Sequence, residues 1–455
     1  MRYFCLTITF LLIALNLQSQ RDSQLTIKTI IPSKTSDGFY LLPYSYKGIS
    51  QYYLNAVNKK SEVVYNYKLD IPPLEIREST DKNHLIIAGG IRSNTAFYLL
   101  DTLYNIKPID LQIKSLGNVL LDPHDFQFLE NGNLLAFAPT PDTTDVSYII
   151  SGGNPNAAII HFSIYEIDTA KNEVVHQWNS KDHFSITETG DHIDLRSKSL
   201  DYIHLNSIQY IPEERAILTS SRDMSEITKI KWPEGNIIWR LGGKCNEFNF
   251  VNDPYGFSGQ HQARMHKDTL ILFNNSTFSP HKQSSVAIYL IDEKSSTARL
   301  LNRHYGNDVN FTKRRGGVTL LENGNYLVSW GQNINLDHNF SELSNTGETV
   351  EKGYYYNVKN YRVNKTLWHP KLLQIARDKN NVLVKNQSKF ELNLNGIFYE
   401  KPSKLENKLE TIKIAKTLSP NESISIQVSQ GAFQKGAFIE YEFEDLFYVR
   451  QYLIP

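Results

Sequence analysis

The chain has 455 residues, 40% of them hydrophobic, which is enough to bury the core of at least one large domain. Lys and Arg together number 48, as do Asp and Glu, so no net charge would attract nucleic acid or an anionic membrane surface. The 26 Tyr and 22 Phe against three Met favour strands over helices, because aromatic side chains fit a pleated sheet.

Residues 1–20 have the layout of a secretory signal peptide. Arg2 precedes an apolar stretch from Phe4 to Leu15, and polar residues follow. The stretch is too short to span a bilayer, so we expect a periplasmic or secreted protein without a membrane span; an uncleaved anchor is the alternative. Removal of the peptide would leave Cys245 as the only cysteine, which excludes an intramolecular disulfide and a cysteine-based metal site.

One strand–turn–strand pattern recurs along the chain. FLENGNLLAFA (residues 128–138) and LLENGNYLVSW (residues 320–330) are near copies, each with a tight turn whose glycine should take a positive φ. Weaker versions begin at Ser36, Asp81, Glu213 and His266. A second strand–turn–strand pattern follows each copy, so the repeating unit has four strands.

Six four-stranded units without helical periodicity predict an all-β fold, and we interpret residues 21–377 as a six-bladed β-propeller whose first blade begins almost directly after the signal peptide. A β-sandwich with unrelated hairpins is the alternative, but it gives no reason for the recurrence. Residues 378–455 alternate in hydrophobicity and predict a small C-terminal β accessory domain. Homodimer formation and cell-surface attachment are the two candidate roles of this domain.

Three histidines occupy equivalent positions at the start of the first strands of the third, fourth and fifth units. First strands line the channel of a propeller, so these imidazoles should meet at one mouth. The turn after the second strand returns to the same end of its unit. The candidate site residues are therefore His124, His204, Asn206, Arg222, His261 and Asn275.

The chemistry of this set leaves two classes of site. Three histidines could hold zinc with an open fourth position, as in a zinc hydrolase, although an arginine beside a dication is electrostatically unfavourable. An arginine and amides instead favour a tetrahedral phosphoryl or sulfuryl group. Neutral imidazole is a competent nucleophile and imidazolium a competent acid. We expect group transfer through a covalent histidine, with no metal. Nucleotide-binding motifs are absent from the sequence, so we also expect no cofactor.

These residues carry a resemblance. DPHDFQFLENGNLL, DYIHLNSIQYIPEERAILTSSRDMSEITKIKWPEGNIIWRLGG, GQHQARM and GGVTLLENGNYLVSWG, in this order, resemble the bacterial arylsulfate sulfotransferases. The resemblance extends from about Gly38 to His369. It implies an exported six-bladed propeller that moves a sulfuryl group from an aryl sulfate to a phenol without a nucleotide donor.

The resemblance also implies individual roles. His261 would be the nucleophile that becomes sulfohistidine, while His124, His204, Asn206 and Arg222 would hold the sulfuryl oxygens and help protonate the leaving phenolate. The alternative from another class is a non-catalytic propeller that binds aryl or glycan sulfates.

The segment from Pro139 to Ala158 is a candidate flap over the mouth. It is polar, and it carries Tyr148 and two glycines, so we expect a mobile loop whose aromatic ring stacks on a phenol. A surface loop without a role is the alternative.

Overall fold

Strands provide nearly all of the regular structure, and the protein has the all-β fold that the sequence predicts. The computed structural model describes residues 25–45, 52–91, 94–109, 119–306, 311–331, 339–355, 361–378, 380–401, 408–428, 437–444 and 447–452. Within these ranges the helical residues form single 3₁₀ turns at Pro32–Lys34, Val146–Tyr148, Ser180–Asp182, Ile186–Glu188 and Pro212–Glu214.

The strands are numbered in chain order. The first half of the chain contains β1 (Leu25–Thr29), β2 (Phe39–Ser45), β3 (Tyr52–Val57), β4 (Val63–Leu69), β5 (Pro73–Glu78), β6 (His84–Ile91), β7 (Asn94–Asp101), β8 (Ile106–Ile109), β9 (Phe126–Phe128), β10 (Leu134–Thr144), β11 (Ala157–Asp168), β12 (Glu173–Asn179), β13 (Ser199–Asp201), β14 (Leu205–Ile211), β15 (Ala216–Ser221), β16 (Glu226–Lys231) and β17 (Ile237–Gly242). The second half contains β18 (Asn249–Val251), β19 (His261–His266), β20 (Thr269–Asn274), β21 (Ser285–Asp292), β22 (Thr297–His304), β23 (Gly317–Leu320), β24 (Tyr326–Ser329), β25 (Phe340–Leu343), β26 (Thr349–Tyr355), β27 (Asn364–Thr366), β28 (Leu373–Asp378), β29 (Asn381–Asn386), β30 (Leu392–Lys401), β31 (Lys408–Leu418), β32 (Ser423–Gln427), β33 (Phe438–Phe443) and β34 (Phe447–Tyr452).

Six sheets each contain a run of four antiparallel strands. In the second to sixth sheets the four strands are consecutive in the chain. They are β5–β8, β9–β12, β14–β17, β19–β22 and β23–β26. The first sheet has the order β27, β2, β3, β4, so its first strand comes from residues far along the chain, with Thr366 opposite Phe39. Strand β1 instead pairs with β26 at the edge of the sixth sheet. Strand β27 thus supplies the first strand of this sheet, and the predicted bounds of the propeller, residues 21–377, stay a prediction.

The two ENGN turns have the predicted backbone geometry. Gly132 and Gly324 both have a φ of 83°, the left-handed region that glycine enters without a steric penalty. In each turn the glycine N–H donates to the carbonyl three residues earlier, at 2.9 Å. The repeated sequence thus forms the same hairpin in the third and sixth sheets.

Side chains alternate between the two faces of a sheet, and each face packs against a neighbouring sheet. In β10, Leu134 and Ala136 pack with residues of the second sheet, whereas Leu135 and Phe137 pack with residues of the fourth. Similar clusters join the fourth to the fifth sheet, the fifth to the sixth, the sixth to the first and the first to the second. The six sheets therefore follow one another in a cyclic order of face-to-face contacts.

A cluster of five charged residues lies among the first strands. Asp125 is fully buried, and its carboxylate accepts hydrogen bonds from Arg77 and from Arg264, the latter at 2.7 Å. Glu75 accepts from Arg77 at 2.7 Å and from Arg362 at 3.1 Å. Burial raises the pKa of Asp125, but the charges of the three arginines outweigh it and hold the pKa well below its usual range. The cluster joins side chains from the second, third and fifth sheets to the residues that precede β27.

The C-terminal strands pack against the first sheet. Strands β34, β33, β30 and β31 extend that sheet beyond β4, and β28, β29 and β32 form a separate three-stranded sheet. Leu394, Ile439 and Tyr441 belong to the same hydrophobic cluster as Leu54 and Tyr65. Strand β28 ends at Asp378, beside the predicted boundary, and pairs with β29. The division into domains at residue 378 stays a prediction.

The candidate flap differs from the expectation. Residues 139–144 continue β10 and residues 157 onward form β11, so the segment is the end of a long hairpin paired from Leu134 to Thr144. Its tip is ordered by Val146, which is buried and donates its N–H to the Asn154 carbonyl at 2.9 Å. Tyr148 is 90% exposed. Residues 139–144 and 157–158 thus lie in paired strands, residues 145–156 form the connection between them, and a role as a flap stays a prediction.

The predicted signal peptide, residues 1–20, lies outside the described residues. In the part of the chain that the structure describes, no helix is long and apolar enough to cross a membrane.

The buried charge cluster leads to a prediction about stability. Asp125→Asn keeps the side-chain shape but leaves the buried Arg362 and the partly buried Arg77 and Arg264 with Glu75 as the remaining carboxylate in the cluster. We expect the free energy of unfolding, measured by urea titration at neutral pH, to fall by about 3–5 kcal/mol. Asp37→Asn is the control, since the Asp37 side chain is 94% exposed, and it should change the value by less than about 0.5 kcal/mol. Equal effects of the two variants would contradict the role of the cluster.

Candidate active site

A cavity of about 290 Å³ lies at one end of the first strands. Pro73 and Leu74 contribute an apolar wall. The polar and aromatic side chains that line it are His124, His204, Arg222, His261, Arg314, Arg315 and Tyr361. Four of the six side chains predicted from the sequence are therefore brought together in one cavity.

His261 is the first residue of β19 and is only 3% exposed. Its Nδ1 lies 2.7 Å from Asn275 Oδ1. The Asn275 Nδ2 donates to the carbonyl oxygens of Thr312 and Arg315, at 3.0 and 2.9 Å, and this fixes which end of the amide faces the ring. Because Oδ1 can only accept, Nδ1 carries the hydrogen and Nε2 keeps its lone pair. The Arg315 backbone N–H donates weakly to Nε2, at 3.3 Å.

The surroundings of His261 keep it neutral. Burial lowers its pKa well below 6.5, and the hydrogen bond to Asn275 opposes this effect only in part. The positive charges of His204, Arg222 and Arg362 lower the pKa further. At neutral pH the imidazole therefore has an unprotonated nitrogen, as a nucleophile requires.

His204 has the opposite environment. Its backbone is left-handed, with a φ of 51°, and both its backbone N–H and its Nδ1 bond the Asp201 carboxylate, at 3.0 and 2.6 Å. Burial lowers its pKa, but the hydrogen bond to Asp201 and the charges of Asp201 and Asp223 outweigh burial and raise it above 6.5. A larger fraction of this ring is therefore protonated at neutral pH than of an ordinary histidine, as a general acid requires.

His124 is paired with a carboxylate in the same manner. Its Nδ1 contacts Asp122 Oδ1, and its backbone N–H donates to the same oxygen at 2.8 Å. The His124 ring centroid lies 6.4 Å from that of His204 and 4.8 Å from that of Tyr361. Sequence reasoning missed both acids, although Asp122 and Asp201 lie two and three residues before their histidines.

Arg222 lies in the turn after β15. Its backbone N–H donates to the His204 carbonyl at 3.0 Å, which holds the turn beside that histidine. Its Nη1 bonds Asp223, and its guanidinium carbon lies 5.4 Å from the centre of the Phe278 ring. The buried Nε has no hydrogen-bond partner among the described residues. Asp223 also contacts His192 Nε2 at 3.2 Å, so the connection between the third and fourth sheets braces the turn.

The two asparagines contact protein groups rather than the cavity. The Asn206 Nδ2 donates to the Gln260 carbonyl at 2.7 Å, directly before His261 in the chain. Asn275 orients the His261 ring through the hydrogen bond to its Nδ1. Neither side chain lines the cavity, so both act on the position of the nucleophile. Their predicted contacts with substrate stay a prediction.

The alternative of a three-histidine metal site is not favoured by the geometry. Among the described residues, the group whose ligand atoms lie close enough to share an ion is Asp201, His204 and Asp223. Neither His124 nor His261 belongs to it, and Asp223 is already paired with Arg222. A dication placed there would lie beside a guanidinium charge.

Three cavity residues were missed by the sequence analysis. Arg314 and Arg315 precede β23, and Tyr361 lies just before β27. The Tyr361 hydroxyl is buried and has no hydrogen-bond partner in the described part of the chain. Burial raises the pKa of Tyr361, so the hydroxyl remains a hydrogen-bond donor at neutral pH. These residues lie outside the repeated hairpin patterns, so no sequence signal connected them with the histidines.

Comparisons with solved structures give distant likenesses. The periplasmic gluconolactonase PpgL of Pseudomonas aeruginosa has a TM-score of 0.41 and 12% identity, over 86% of this chain and 99% of that protein. TolB of Acinetobacter baumannii has a TM-score of 0.38 and 14% identity, over 71% of this chain and 65% of TolB, which is less than two thirds of its length. No curated protein matches the chain.

A family model gives a more specific match. The model described as Arylsulfotransferase (ASST) matches residues 103–339, the part of the chain that contains His124, His204, Arg222 and His261. This match covers more than half of the 455 residues. The protein therefore belongs to the arylsulfotransferase (ASST) family.

Proposed function

We propose that the protein is a nucleotide-independent sulfotransferase that moves a sulfuryl group from an aryl sulfate to a phenol through a sulfohistidine at His261. The main support for this proposal is His261, which is buried and neutral. Its Nδ1 is held by Asn275, and its ring lines a cavity beside Arg222. Family membership supports a sulfotransferase in general. The donor, the acceptor and the covalent intermediate are the proposed part.

In the first step, His261 Nε2 attacks the sulfur of the donor in line with the bond to the aryl oxygen. The N–S bond forms as the S–O(aryl) bond breaks, and the electron pair leaves with the phenolate. His204, whose pKa is raised by its carboxylate partners, donates a proton to that oxygen. Arg222 stabilises the sulfuryl oxygens while their charge shifts.

In the second step, a phenol occupies the place of the departed one. His204, now neutral, removes the proton from the hydroxyl group, and the phenolate oxygen attacks sulfur. The new O–S bond forms as the N–S bond breaks, which restores neutral His261 and protonated His204. The cycle is balanced without a cofactor.

The proposed scaffold is a six-bladed β-propeller, with each of the six sheets as one blade. The cyclic order of sheet contacts supports it, as does the pairing of β27 with β2, which would close the ring. We also propose export through residues 1–20, so that the enzyme acts in the periplasm or outside the cell on small molecules.

The covalent intermediate can be tested directly. Incubation with 4-nitrophenyl sulfate and no acceptor should add the mass of one sulfuryl group to the peptide containing His261, because no phenol is present to remove it. His261→Ala should abolish the adduct and lower turnover by more than about 100-fold. His266→Ala is the control, since His266 is an exposed histidine on the same strand and should change neither readout. Binding of the aryl sulfate with no adduct would instead indicate a non-catalytic sulfate-binding protein.

Arg222→Ala tests stabilisation of the transition state. Loss of one such donor costs on the order of 3 kcal/mol, so kcat should fall roughly 100-fold. Arg215→Ala removes an arginine that is 61% exposed on the far end of the same hairpin and should leave kcat unchanged. Far-ultraviolet circular dichroism would establish that both variants are folded. A folded Arg222→Ala variant with full activity would remove Arg222 from the mechanism.

The pH dependence follows from the two histidines. The first step needs neutral His261, so its rate should fall as pH drops through a pKa below 6.5. It also needs protonated His204, so the rate should fall as pH rises through a pKa above 6.5. Asp201→Asn removes the group that raises the pKa of His204, so the alkaline limb should move to lower pH.

This shift should be larger with phenyl sulfate than with 4-nitrophenyl sulfate, because 4-nitrophenolate leaves more readily without a proton. Single-turnover release of the phenol, measured across the pH range, provides the profile. An alkaline limb that does not move in Asp201→Asn would contradict the assignment of His204 as the acid.

A further inference from the structure

A second cavity adjoins the reaction cavity between the second and third sheets. Its volume is about 570 Å³, larger than the 290 Å³ of the first. Its apolar side chains come from β5, from the segment before β9 and from β10. They are Leu74, Val119, Leu120, Leu121, Pro123, Pro139 and Pro141.

The two cavities share a boundary at the proposed catalytic centre. Leu74 and His124 line both of them. The two cavities therefore meet at these two side chains. The first cavity is lined by arginines and histidines, so the second cavity is the more apolar of the two.

The edge of β10 explains the apolar character of the second cavity. Pairing between β9 and β10 stops at Ala136, and the next contact on that side is the Phe137 carbonyl, which accepts from the Asp122 N–H at 2.7 Å. Backbone groups two residues apart point to the same side of a strand, so positions 139 and 141 direct theirs toward the cavity. Both are proline, which has no N–H. This edge thus presents ring carbons in place of unpaired donors, beside the carbonyl oxygens of the same two residues.

One oxygen of the carboxylate in this wall is already paired. Asp122 lines the cavity, but its Oδ1 bonds both the backbone N–H and the Nδ1 of His124. Leu120 is 41% exposed at the opening. An exposed leucine beside two prolines and a paired carboxylate favours an apolar ligand over a charged one.

We propose that this second cavity binds a hydrophobic substituent of the aryl substrate, so that the preferred acceptors are phenols with a long apolar chain. The inference rests on the proposed sulfotransfer and adds the substrate class. Because donor and acceptor oxygens occupy the same place in turn, aryl sulfates of the same phenols should be good donors.

The test is a series of acceptors: phenol, 4-ethylphenol, 4-butylphenol and 4-hexylphenol, with 4-nitrophenyl sulfate as the fixed donor. Each methylene removed from water should raise kcat/KM for the acceptor by about 2- to 4-fold until the cavity is full. The matching binding series uses the same phenols without donor and is measured by calorimetry, so it does not depend on catalysis.

Leu120→Asp places a charge at the opening of the second cavity and should abolish most of the dependence on chain length, in both series. Its activity with unsubstituted phenol should be unchanged, since Leu120 does not line the reaction cavity. Leu301→Asp is the matched control, because Leu301 is 45% exposed on β22 and lines neither cavity. It should keep the dependence of the parent protein.

The possible results separate the two proposals. Transfer without a chain-length dependence, or with one that Leu120→Asp leaves intact, would overturn the inference but not the sulfotransferase. Absence of transfer to every phenol, with binding that still increases with chain length and is lost in Leu120→Asp, would overturn the proposed function but support the apolar site. Absence of both would overturn both.

Discussion

Asp125 is the residue on which the rest of the architecture depends. A carboxylate with no exposure to water is tolerated only if its oxygens are fully paired, and here the partners come from different sheets. Arg77 reaches it from β5, Arg264 from β19, and the Ile208 backbone N–H from β14 at 3.0 Å. One buried charge thereby sets the spacing of four first strands.

The same cluster leads directly to the nucleophile. Arg362, which pairs with Glu75, also donates to the Asn206 carbonyl at 3.0 Å. Asn206 in turn donates to the carbonyl of Gln260, next to His261. Asp125 itself follows His124 in the chain. The ionic network is therefore bonded to residues next to the histidines, and we expect the positions of the histidines to depend on its being intact.

Burial and nearby charges give two histidines, His261 and His204, different chemical roles. His261 has a neutral amide as its Nδ1 partner and cations nearby, so its pKa is lowered. His204 has a carboxylate as its Nδ1 partner, so its pKa is raised. Opposite shifts in neighbouring groups are the usual basis of an acid and a nucleophile that function at one pH. The identity of the Nδ1 partner, amide or acid, makes the difference.

Local sequence was sufficient for the strands and for the meeting of the three histidines. Period-two alternation and the turn after each first strand set the register of β9, β14 and β19 over short distances, so His124, His204 and His261 could be placed at one end before any contact was known. The tertiary structure decided three other features. These are the pairing of β27 with β2, the positions of Arg315 and Tyr361 in the cavity, and the bond of Asn206 to the Gln260 carbonyl instead of a place in the cavity lining. Each depends on hydrogen bonds and burial between residues far apart in the chain, and such contacts exist only after the sheets have packed together.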